Sequence, residues 1–143
     1  MDAREKKAAE LALKKARVAH LRWVERAEAL VAGRELAKEQ VPVLPTACEF
    51  GQWYHGEGKQ LIILGSYQAI KLPHEMLHSI YAQIFELLFG KDTRSTLSKL
   101  FGSRKQLCAQ QREEAEKLLV KLKGQSSILL EAIDRLLADI EEM

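Results

Sequence analysis

Cysteine and proline are scarce: two and three among 143 residues. That excludes a disulfide-stapled secreted scaffold and makes the cytoplasm the expected compartment. Charge of one sign is also missing. Lys and Arg number 22 against 20 Asp and Glu, a net +2. No single-sign field is available to hold nucleic acid or an anionic membrane, so neither is an expected partner. The longest aliphatic run, Leu61 to Leu64, is far too short to span a bilayer. The charged, alanine-rich start has no apolar signal core. Period-two alternation is confined to Val41–Leu44, so strands are hardly expected. Apolar residues, in contrast, make up 47% of the chain. That share supports a real core, and the length suits a single domain over residues 1–143.

Helical periodicity dominates. The spacing predicts a first helix over 3–31, with the stripe Ala9, Leu13, Ala16, His20, Trp23, Ala27, Leu30. Its steps of four and three form a heptad seam, and Gly33 is the natural stop. Residues 33–47, with Pro42 and Pro45, read as a connector. A short second helix is expected over 47–55, ended by Gly56-Glu57-Gly58. Residues 61–70 read as a short helix or ordered loop. Pro73 suits the first turn of a third helix reaching Phe89, with Gly90 beyond it. Its seam is His74, His78, Tyr81, Phe85, Leu88, with Leu77 and Ile84 alongside.

From Asp92, a candidate cap, to Glu142 the pattern remains helical, with Gly102-Ser103 the first expected break. The last seam reads Cys108, Gln111, Ala115, Leu118, Leu122, Gln125, Leu129, Ala132, Leu136, Ile140. A helix over 104–141 would be roughly 57 Å long. It should therefore break near Gly124 or extend beyond its neighbours to pair with a second chain. The expected fold is all-α: a four-helix bundle with additional short helices in an antiparallel up-down arrangement. Residues 1–39 carry ten Lys/Arg and seven Asp/Glu, and residues 125–143 one Arg and five Asp/Glu. In such a bundle these ends meet at one pole, where opposite charge is neutralised within a chain or across a dimer.

Three of the four histidines sit where apolar residues belong. His20 is mid-stripe in the first helix. His74 and His78, four apart, share one face of the third. A single such histidine is ordinarily a hydrogen-bonded core residue. Three on facing seams leave costly polar atoms in the core unless something binds them. Cys48 opens the short helix, where a helix N-terminus favours thiolate; alone it reads as a small buried hydrophobe. Gly51 would let this helix approach its neighbours, and Trp53 would anchor it in the core. Three imidazoles and one thiolate suit tetrahedral Zn²⁺. Four protein ligands leave no position for a reactive water, so no enzymatic activity is expected. Cys108 reads as a packed thiol. His55 reads as a solvated residue and a reserve ligand.

The segments His20-Leu21-Arg22-Trp23, Cys48-Glu49-Phe50-Gly51-Gln52-Trp53 with Gly56 and Gly58, and His74-x-x-x-His78 together resemble the chemoreceptor zinc-binding domain family, CZB. That family's motif is a histidine in the first helix, a Cys-x-x-Gly-x-Trp segment and a His-x-x-x-His helix, in this order. The resemblance covers about residues 15–90, and the last helix fits only as a pattern. It implies a helical sensor domain, usually dimeric, with zinc held by His20, Cys48, His74 and His78. It also implies a response to zinc or to oxidants acting on the zinc-bound cysteine. The output would pass to a partner of the chemoreceptor or diguanylate cyclase type, since this chain carries neither signalling sequence.

A rival motif overlaps. His74-Glu75-Met76-Leu77-His78 spells the HExxH of zinc metallopeptidases, in which the glutamate is the general base. Pro73 places its first histidine in the opening turn. No strand is visible to bind a peptide. His20 and Cys48 compete for the same ion. A metal-free helical adaptor is the remaining alternative.

Overall fold

A computed structural model of the chain describes residues 1–33, 48–89 and 109–143. These residues form helices, with no strand among them: the fold is all-α. Helix α1 spans Ala3–Val31, α2 Glu49–His55, α3 Gly65–Gln68, α4 Lys71–Phe89 and α5 Ala109–Glu141. A 3₁₀ turn, Glu57–Leu61, links α2 to α3. The Pro42–Pro45 connector, Gly90, Asp92, Gly102-Ser103 and Cys108 lie outside the described residues.

Helix α1 starts at a capping box. Asp2 accepts from the Glu5 amide at 2.8 Å, and Glu5 accepts in return from the Asp2 amide at 2.9 Å. It stops at Gly33, whose φ of 93° is the left-handed conformation that glycine adopts without strain. Its buried residues are the seven of the expected stripe. Helix α4 begins two residues before Pro73, which lies in the first turn, where a missing amide costs least. All seven residues assigned to its inner face are buried.

Helices α1 and α5 run antiparallel. Arg17 pairs with Asp134 at 3.1 Å and Glu28 with Lys123 at 2.9 Å. At one pole Lys6 donates to the carbonyls of Glu141 (3.0 Å) and Met143 (3.3 Å), so the basic start and acidic end do meet. Helix α4 runs parallel to α1, since Trp23 touches both His78 and Tyr81 while His20 touches His74. The long helices among the described residues are therefore three, two up and one down, with the short elements packed along them.

The expected weak point at Gly124 is not a break. Helix α5 passes through it for 33 residues, about 50 Å. Gly124 is exposed and a Cβ there would meet nothing within 4 Å. Glycine costs the helix about 1 kcal/mol. The fully buried Leu122 and Leu129 on either side offset that cost. The seam also differs in detail: Ser126 is buried where Gln125 was expected, Ile133 is buried as well, and Gln111 is only half-buried. Positions 125 and 126 both keep the three-and-four spacing, and the smaller side chain takes the inner one.

Candidate metal centre

The ends and faces just described bring four separated residues to one point. His20 comes from the middle of α1, Cys48 from the cap of α2, and His74 and His78 from successive turns of α4. All four are buried, and one ligand atom from each lies within 4.8 Å of the others. His74 Nε2 is 3.1 Å from His78 Nε2 and 3.4 Å from Cys48 Sγ. Around zinc, with bonds of about 2.05 Å to nitrogen and 2.3 Å to sulfur, tetrahedral edges are about 3.3 and 3.6 Å. The observed separations are close to those edges.

His20 supplies the decisive observation. Its Nδ1 lies 2.7 Å from the Ala16 carbonyl, an acceptor, so Nδ1 carries the proton and donates. Nε2 is then an unprotonated lone pair. It is buried and has no hydrogen-bond partner. Leaving such an atom unsatisfied costs about 1–3 kcal/mol. It points to a ligand that accepts electron pairs, which a divalent cation does and an apolar core residue does not. The Ala16 carbonyl lies one turn before His20 and fixes its tautomer. A backbone acceptor of this kind leaves no mark in a sequence.

For the histidines, electrostatics favour the same use. Burial pushes the His74 pKa down to about 3, and the neighbouring imidazoles of His20, His78 and His55 add to the effect. Burial also lowers the pKa of His20, opposed by the Ala16 carbonyl. Both rings are therefore neutral near pH 7 and offer lone pairs. Burial raises the Cys48 pKa, while backbone amides, Gly51 first, act in the opposite direction. The Gly51 amide donates to Cys48 Sγ at 3.1 Å, the capping bond of α2. The cap geometry thus stabilises sulfur in the form that binds metal.

Aromatic rings wall the cluster. Phe50 meets His20 and His74 edge-on at 5.6 and 5.1 Å, and Trp23 meets His78 at 4.4 Å. Trp53 differs from expectation: it is only half-buried, stacked on Phe50 at 5.8 Å. Its ring fills the space beside Gly58, where a Cβ would come within 3.1 Å of it. The core anchors of α2 are instead Phe50 and Tyr54. His55 is exposed and outside the cluster, and so is Glu75, the would-be general base of HExxH. Its exposure follows from helical geometry, because the residue after His74 is rotated about 100° away from the buried face.

The site is accompanied by a cavity of about 340 Å³ between α1 and α2, with His20 and Cys48 in its wall. No helix among the described residues is long and apolar enough to cross a membrane. Comparison with curated proteins and with solved structures finds no match to the chain. Residues 20–85, which hold all four clustered side chains, match the model of the chemoreceptor zinc-binding domain family.

Proposed function

We propose that this chain is a zinc-binding regulatory domain in which His20, Cys48, His74 and His78 are the ligands. The observation that carries this reading is the buried, unpartnered Nε2 of His20, in a residue clustered within 4.8 Å of three other donors. When bound, zinc supplies a closed four-coordinate crosslink and no open position for substrate water. The protein's own part is to hold three neutral imidazoles on two long helices and one sulfur on a short one. Loss of zinc, or two-electron oxidation of the Cys48 thiolate to sulfenic acid, is the signal we assign. The oxidant is of the peroxide class: it gives up one oxygen and is reduced to an alcohol or water. Release of α2 then shifts the packing of the long helices, and a partner of the chemoreceptor or diguanylate cyclase type reads the change. We place the domain in the cytoplasm as a homodimer. Leu11 and Val18 on α1, and Val120 and Ile128 on α5, are exposed apolar side chains that a second copy would cover.

The peptidase reading has less support, because Glu75 is exposed and two further donors, His20 and Cys48, crowd the ion position. The test is metal analysis combined with X-ray absorption at the zinc edge. About one zinc per chain, with three nitrogen neighbours and one sulfur, is expected. No bound zinc, or a shell of nitrogen and oxygen without sulfur, overturns the proposal.

A further inference from the structure

The cluster accounts for the start of α2 but not for its end. Tyr54, in the last turn of α2, donates its hydroxyl to the Tyr67 carbonyl at 2.8 Å. Tyr67, on α3, donates its hydroxyl back to the Tyr54 carbonyl. The two rings stack at 4.3 Å with 12° between their planes, and both residues are 4% exposed. Tyr67 thus satisfies a carbonyl in the last turn of α2, and Tyr54 adds a second donor to the Tyr67 carbonyl, which also accepts from the Ile70 amide at 3.2 Å. The far side of this clasp is anchored, since Ser66, beside Tyr67, donates to Asp139 on α5. Four residues beyond Tyr67 begins α4, the carrier of His74 and His78.

An isolated helix of seven residues has no stability of its own. Helix α2 is therefore held at two ends: through Cys48 at the cluster and through the clasp. We propose that Tyr54 and Tyr67 are positioning residues that set how readily Cys48 leaves the cluster, by tying its helix to α3 and through Ser66 to α5. This rests on the metal-site reading for its consequence, but the tether itself exists without metal. Breaking either hydroxyl bond leaves the rings stacked and loosens the helix. The coupling runs both ways, so freeing the Cys48 end also loosens the contact between α3 and the end of α5.

The test is the rate at which iodoacetamide alkylates Cys48, read by peptide mass spectrometry that separates it from Cys108. The sulfur displaces iodide and forms a thioether. Wild type, Tyr54→Phe, Tyr67→Phe and the double variant are compared, each metal-stripped and zinc-loaded. Leu118→Ala on α5 serves as a control that lowers stability without touching α2. Each phenylalanine variant should raise the rate about two- to tenfold in metal-stripped protein, as loss of one hydrogen bond implies. The double variant should fall short of the product of the two. Unchanged rates, or increases no larger than that of Leu118→Ala, overturn the proposal. Zinc that gives no protection in wild type refutes the metal reading alone, because the stripped series still decides the clasp. Should the variants fail to fold, hydrogen exchange on wild type decides. Residues 49–55 and 65–68 should open together as one unit, and independent opening refutes the tether.

Discussion

Replacing His20 by leucine should have opposite effects on the metal-free and metal-bound protein. In the metal-free state the substitution removes a buried atom without a partner, worth about 1–3 kcal/mol. It also removes the 2.7 Å bond from Nδ1 to the Ala16 carbonyl, a loss of about 1 kcal/mol. Leucine is close to imidazole in volume and fully apolar, and its burial adds on the order of 1 kcal/mol. The metal-free variant should therefore be more stable than the parent by about 1–3 kcal/mol, a rise in Tm of about 3–9 °C. Zinc acts in the other direction. At a free concentration 100 times Kd it should stabilise the parent by about 2.7 kcal/mol. The variant, with one ligand gone, should gain almost nothing at that concentration. Urea denaturation in chelator and in buffered zinc measures all four stabilities. A variant less stable than the parent without metal, and equally responsive to zinc, would show that His20 is an ordinary core histidine.

Two further outcomes follow from the same geometry. The folded protein keeps His74 neutral down to about pH 3, whereas an unfolded histidine protonates near 6.5. Between those values the unfolded chain binds more protons, so the stability of metal-free protein should fall as pH drops below 6.5, by up to about 1.4 kcal/mol per unit. A urea midpoint that stays flat from pH 8 to pH 5 would contradict the buried, neutral ring. Cys48→Ala should weaken zinc binding without abolishing it, because three imidazoles remain. It should also raise hydrogen exchange in residues 49–55 while α1, α4 and α5 stay protected. Uniform loss of protection would place Cys48 in the global core instead.

The helix faces were legible because each long helix buries one stripe and exposes the rest. On α1 the heptad steps name every buried residue, including the one polar member, His20. The three histidines stood out for the same reason, since a polar side chain on an apolar seam breaks the pattern; Cys48 stood out by its place at the head of the short helix. Short elements gave less to read. Periodicity over seven residues cannot separate Trp53 from Phe50 and Tyr54 as the core anchor. In the structure Trp53 is displaced outward, over Gly58, by the turn that follows α2. That turn requires Gly56, since a Cβ there would lie 2.8 Å from the Gln52 carbonyl. Gly124 misled in the other direction, because a glycine that faces solvent on a well-seated helix weakens it without ending it. Neither the Tyr54–Tyr67 clasp nor the Ala16 carbonyl involves a repeated spacing, so only the folded chain reveals them.

The distribution of donors over elements sets the order in which the site can come apart. Three imidazoles sit on α1 and α4, helices of 29 and 19 residues whose inner faces are buried throughout. Moving one of those rings means moving a core seam. The sulfur sits on a seven-residue helix held by its cap, two aromatic side chains and a pair of reciprocal hydroxyl bonds. Local opening draws on the least stable segments first. Any change in the bonding of Cys48 is therefore felt by α2 before it is felt by the bundle. The clasp then decides how far it travels, because α3 stands between α2 and Asp139 near the end of the longest helix. A cluster built from four equally rigid ligands would hold an ion as firmly and report nothing. In the proposed metal site, the one oxidisable donor sits on a short element, and that placement is what would make the site responsive.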